Sequence, residues 1–110
     1  MKVYAKVEVI EDLEKLIDVL FEKGYFSYEE SSVTYVIDLF EDILKYLPIK
    51  LKKPAPKYFT TRYGKGLYFA TFKKSKRTQW YVFFIIYQVD GETYYQVRHI
   101  ENNHTAAQYL

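Results

Sequence analysis

The apolar residues of this chain turn from a helical to a strand period at Pro48, and that change limits what the chain can fold into. Before it, Leu13, Leu16, Ile17, Leu20 and Phe21 recur at helical spacing, as do Val33, Val36, Ile37, Phe40, Ile43, Leu44 and Leu47. After it, the runs are short, β-branched and aromatic, with turn residues between them. The first stripe predicts a helix over 12–23, with Glu11 and Asp12 at its N-terminus and Gly24 just past its end. The second predicts a helix over 28–47, opened by the capping-box spacing of Ser27 and Glu30 and closed before Pro48. The link from Gly24 to Ser27 is short, so the two helices fold back as an antiparallel hairpin.

Ahead of the helices, Val3, Ala5, Val7 and Val9 alternate with Tyr4, Lys6 and Glu8, which predicts a first strand. Pro48, Pro54 and Pro56, mixed with Lys50, Lys52, Lys53 and Lys57, make a stiff connector too short to separate two domains. Beyond it, 58–63, 67–73, 78–89 and 92–101 read as strands. Gly64-Lys65-Gly66 and Lys74-Ser75-Lys76-Arg77 read as turns, and Asp90-Gly91 is a strong hairpin signal. His104 to Leu110 forms a short tail with room for one helical turn. The expected order is β-α-α-β-β-β-β: a single α+β domain over 1–110, with the helical hairpin on one face of an antiparallel sheet. The apolar run from Trp80 to Tyr87 is the expected central strand.

Several classes drop out early. Cysteine is absent, so there is no disulfide framework and no thiolate metal site. The start alternates and carries charge, unlike a secretory leader, and no apolar run is long enough to span a bilayer. A cytoplasmic protein without membrane contact is expected. No phosphate-binding glycine loop is present. The only histidines are His99 and His104, with Glu101 the one acid nearby, so neither a metal nor another cofactor is expected. The other carboxylates sit almost entirely on the helices, where a solvated face accounts for them.

The charge is divided along the chain. Residues 1–47 hold five lysines against eleven carboxylates, a net −6; residues 48–110 hold eleven Lys and Arg against three carboxylates, a net +8. A basic half can mark a polyanion partner, or can serve solubility and attraction between the halves. Lys73, Lys74, Lys76 and Arg77 crowd one turn, with Trp80 just after them; Arg62 and Lys65 come one strand earlier. Across the Asp90-Gly91 hairpin, Arg77 should approach the stretch from Arg98 to His104. Metal-free RNA cleavage needs this kind of cluster: a base for the ribose 2′-hydroxyl, an acid for the leaving 5′-oxygen, and fixed cations for the phosphoryl charge. Aromatic rings can stack on unpaired bases. Each residue also has a plainer use. The lysine-rich turn is an ordinary solvated tip, Trp80 heads an apolar strand, and His99 can be a hydrogen-bonded sheet residue.

The segments PAPKYFTTRYGKGLYFATFKKSKRTQWYVFF, from Pro54 to Phe84, and VRHIENNH, from Val97 to His104, resemble the RelE/ParE toxin superfamily, in a divergent branch carrying KRTxWY and a terminal NNH. The order of hairpin, proline link and sheet is similar along most of the chain. The resemblance implies the toxin of a type II toxin–antitoxin pair, with a cognate antitoxin as partner. It implies a metal-independent endoribonuclease cutting mRNA at the ribosome or, for ParE-like members, a gyrase inhibitor. A non-catalytic module binding nucleic acid or protein is the further alternative. Carried over to this chain, Lys76 and Arg77, with Lys74, would stabilise the phosphate and His99 or His104 would be the acid or base. Lys73, Lys74, Arg62, Arg98 and Trp80 would bind RNA, with Tyr109 as a helper. Two departures stand out: Gln79-Trp80 occupies the place of an arginine usual just inside the third sheet strand, and the ending is extended from Glu101 to Leu110.

Overall fold

The computed structural model describes residues 1–106 and 109–110, with the side chains of Thr105 and Ala106 left aside. The protein is α+β. The order is β1 (Lys2–Ala5), α1 (Val7–Glu22), α2 (Glu29–Tyr46), a 3-10 turn (Leu47–Ile49), β2 (Lys53–Pro54), α3 (Lys57–Tyr63), β3 (Tyr68–Lys73), β4 (Gln79–Val89), β5 (Glu92–Asn102) and α4 (Asn103–Ala106). The five strands form one sheet in the order β1-β5-β4-β3-β2. From β2 to β5 the strands are antiparallel neighbours, as the meander predicts, and β4 lies at the centre. The sheet as a whole is mixed, because the edge strand β1 pairs parallel with β5. The α1–α2 hairpin carries the chain back across one face before the meander begins, leaving β1 to add on at that edge.

Three elements depart from the sequence expectation. Helix α1 starts at Val7, not near residue 12, and the first strand is correspondingly short. Val9 fits both patterns: it alternates with Val3 and Ala5, yet it also stands four residues before Leu13. The helix takes it, and both Val9 and Leu13 are buried. Helix α2 keeps its predicted bounds to within a residue, but Tyr28 is its N-cap and no side-chain cap bond forms. Its buried line runs Ser32, Val36, Leu39, Ile43, with Leu47 beyond, which leaves Ile37 and Leu44 exposed.

The third departure shapes the site. Residues 58–63, read as a strand for their aromatics and threonines, form helix α3. Pro56 is its N-cap, with the extended backbone suited to that place, and Gly64 ends it at φ +122°. Phe59 and Tyr63 stand four apart, so one helical face meets the sheet. The strand role passes to Lys53–Pro54, at the sheet edge, where a proline's missing N–H costs no ladder bond.

The sheet therefore has a core on each face. Val36, Leu39 and Ile43 of α2 and Val9 and Leu13 of α1 pack on Trp80, Val82, Phe84, Tyr95 and Val97. On the opposite face, Phe59 of α3 and Leu67 pack on Phe83, with the Phe59 and Phe83 rings stacked 4.3 Å apart. A β-bulge sits between these layers. Phe83 pairs with His99 and Phe84 with Val97, so Arg98 has no partner across the ladder. Among the described residues, no helix is long and apolar enough to cross a membrane.

Candidate functional site

The α3 face of the sheet gathers a cluster around His99. Residues two apart on a strand share a face, so His99 and Glu101 point the same way. The His99 Nε2 lies 2.5 Å from Glu101 Oε1, with both side chains mostly buried. The carboxylate fixes the ring's orientation and stabilises it when it carries a proton. The other support comes from α3: the Tyr63 ring stacks on the imidazole at 4.1 Å and 10°. The bulge turns Arg98 toward the same helix end. Its Nη1 donates to the Tyr63 carbonyl at 2.9 Å and its Nε to Gln96 Oε1 at 2.9 Å, so this guanidinium braces the site. Gly64 makes that brace possible, since a Cβ there would lie 2.3 Å from Arg98 Nη1.

Beside this pair, α3 presents a layered arm. The Arg62 guanidinium lies 3.6 Å from the centre of the Tyr58 ring and donates to the Tyr58 carbonyl at 2.7 Å. The Tyr109 ring stacks on Tyr58 at 3.6 Å and 7°. The pKa of Tyr63 is raised by burial, then by the charge of Glu101, while the nearby Arg62 acts to lower it. That of Tyr58 is raised by its hydrogen bond with Tyr109, and more weakly by burial. Glu101, Tyr58, Tyr63 and Arg62 thus feel one another, and both phenols stay protonated through the neutral range.

The remaining predicted site residues fall elsewhere. Asn103 ties the β3–β4 turn to the end of β5, as the hairpin register requires. Its Oδ1 accepts from the Gln79 amide at 2.9 Å and its Nδ2 donates to the Arg77 carbonyl at 3.1 Å. Lys73, Lys76 and Arg77 are exposed on that turn. Lys74 folds toward α2, with its ammonium 3.8 Å from Asp42 and 5.3 Å from the centre of the Tyr35 ring. Trp80 is buried on the α1–α2 face, and its indole N–H donates to the Tyr35 hydroxyl at 2.9 Å. His104 lines a cavity with Lys74 and Trp80. So the two histidines part company: His99 faces α3, and His104 faces the helical hairpin. Arg62, Arg98 and Tyr109 join the first group.

Tyr58, Tyr63 and Glu101 complete the His99 group and were not among the residues singled out by sequence. The spacing of His99 and Glu101 was visible; the tyrosines were not, because their segment read as a strand. Among the described residues, no three His, Asp or Glu side chains gather as a metal site. Comparison with protein-family models, with curated proteins and with solved structures finds no match.

Proposed function

We propose that this protein is an endoribonuclease toxin of the RelE/ParE kind, cutting RNA at the His99 face without a metal ion. The observation that carries the reading is the His99–Glu101 pair, clamped against Tyr63 where α3 covers the sheet, with Arg62 alongside on α3. In this reading His99 takes the proton of a ribose 2′-hydroxyl, whose oxygen attacks the adjacent phosphorus. The P–O5′ bond breaks, leaving a 2′,3′-cyclic phosphate, and the departing 5′-oxygen takes a proton from the Tyr63 hydroxyl. Proton exchange with water then resets both groups. Glu101 stabilises the imidazolium as it forms, and Arg62 stabilises the charge gathering on the phosphoryl oxygens. Tyr109, stacked on Tyr58, extends an aromatic surface on which a neighbouring base can lie. The α+β layout, with its helical hairpin and antiparallel meander, supports the reading without being specific to it.

The test is expression and cleavage in parallel. Induced expression should arrest growth, and an acidic or ribbon-type partner encoded next to the gene should relieve the arrest. Purified protein should cut mRNA on programmed ribosomes in the presence of a chelator. His99→Ala and Tyr63→Phe should each lower the rate by roughly 10²–10⁴-fold, the range of a lost general base or acid. Undiminished cleavage in both variants rejects the assignment of these residues. Growth arrest with a DNA-damage response and intact mRNA would replace it with the gyrase-directed reading.

A further inference from the structure

On the other side of the sheet, a cavity of about 250 Å³ opens between the end of the α1–α2 hairpin and the β3–β4 turn. Its wall is aromatic. Phe26 and Tyr35 lie with ring centres 5.5 Å apart at 51°, and the buried Trp80 ring is fixed by its bond to the Tyr35 hydroxyl. Its rim is basic, with Lys23 from the end of α1 and Lys74 from the turn, and His104 from α4 beside them. No carboxylate lines it among the described residues. Lys74 also pairs with Asp42 at 3.8 Å, longer than a hydrogen bond, and Asp42 itself stands outside the cavity lining. The turn that presents Lys74 is preshaped, since Ser75 Oγ accepts from the amides of Arg77 and Thr78.

We propose that this cavity binds one nucleotide unit, with its base against the Trp80, Tyr35 and Phe26 rings and its phosphate on Lys23, Lys74 and His104. An aromatic wall selects a flat apolar body, and two lysines with a histidine N–H donor and no carboxylate in the lining select an anion. The Trp80 indole N–H is taken up by the Tyr35 hydroxyl, so the indole asks no acceptor of the ligand. The volume falls below the usual range of drug-sized pockets, roughly 300–1,000 Å³, which suits one base with its phosphate and not a dinucleotide. The unit can come from a free nucleotide or from a single-stranded RNA. The site stands on its own lining and is independent of what His99 does.

Trp80 is the sole tryptophan, so its fluorescence reports the cavity directly. The intact protein is titrated with nucleoside 5′-monophosphates, with a short single-stranded RNA, and with the nucleosides and inorganic phosphate as partial ligands. A saturable change with monophosphate alone identifies a free nucleotide. A change with the oligomer alone identifies a strand, and either result supports the site. Lys23→Glu alters only an exposed side chain, and Lys74→Met removes the ammonium while keeping an unbranched apolar side chain. Each should weaken binding roughly tenfold, as expected for a lost charge-assisted bond to phosphate. His99→Ala should bind as the parent does. No response to any nucleotide or RNA, or a response unchanged in both lysine variants, overturns the proposal. A response abolished by His99→Ala overturns it too, by placing the binding on the other face.

Discussion

Gly64 shows how much one residue can settle. Its φ of +122° is a conformation that side-chain-bearing residues rarely adopt, and Arg98 fills the space where a Cβ would go. Gly64→Ala should therefore destabilise the fold by about 1–3 kcal/mol, from backbone strain together with loss of the Arg98–Tyr63 bond. Thermal unfolding checks this, and an unchanged midpoint would mean that the bulge does not depend on the brace. Tyr63 gives a pH effect at the same scale. Its folded pKa lies above the ordinary 10.0, raised by burial and then by Glu101. Between pH 10 and that higher value the folded chain holds a proton that the unfolded chain has released. Its contribution is thus whole below pH 10 and is lost as pH rises through the folded pKa. Tyr63→Phe should flatten the alkaline side of the stability–pH curve. An equally steep decline in the variant would assign the effect to other groups.

At the scale of elements, the joint between β5 and the β3–β4 turn matters most. Asn103 holds the backbone of Gln79 and Arg77 while Asn102 Oδ1 accepts from the His104 amide at 2.9 Å. The paired asparagines read as punctuation in the sequence, but they act as a clasp between a strand end and a turn. Asn103→Ala removes both bonds to the turn and should cost about 1–3 kcal/mol. It should also speed hydrogen exchange at the Gln79 amide, which loses its acceptor. Unaltered protection at that amide would show the turn to be held by the ladder alone. Helix α3 is the element that sequence misjudged. Its aromatic and threonine content favours a strand when taken alone, and only its position between Pro56 and Gly64, above a half-covered sheet face, makes a helix the better burial for Phe59 and Tyr63.

For the whole molecule, the charge division becomes a spatial one. The net −6 of residues 1–47 lies mainly on α1 and α2, while the net +8 of residues 48–110 lies on the meander, α3 and the β3–β4 turn. A single RNA strand held by three or four of those cations should show log affinity falling with log salt at a slope near −2 to −3, about 0.7 per phosphate contact. Fluorescence anisotropy across a salt series measures it, and a flat line would leave the positive half as a solubility device.

The sequence by itself determined the local elements whose signals are short-range. These are the helical hairpin, the Asp90-Gly91 turn with Asp90 at φ 50° and Gly91 at φ 79°, and the long central strand. It also placed Arg77 beside the end of β5, because hairpin register propagates from the turn. Tertiary structure alone decided the rest. Val9 fits two periods until packing chooses one. The bulge at Arg98 shifts register without a local signal, and α3 exists because the sheet offers a second face to cover. Those long-range choices sent His99 to one side of the sheet and His104 to the other, dividing the single basic cluster legible in the sequence into two groups on opposite faces.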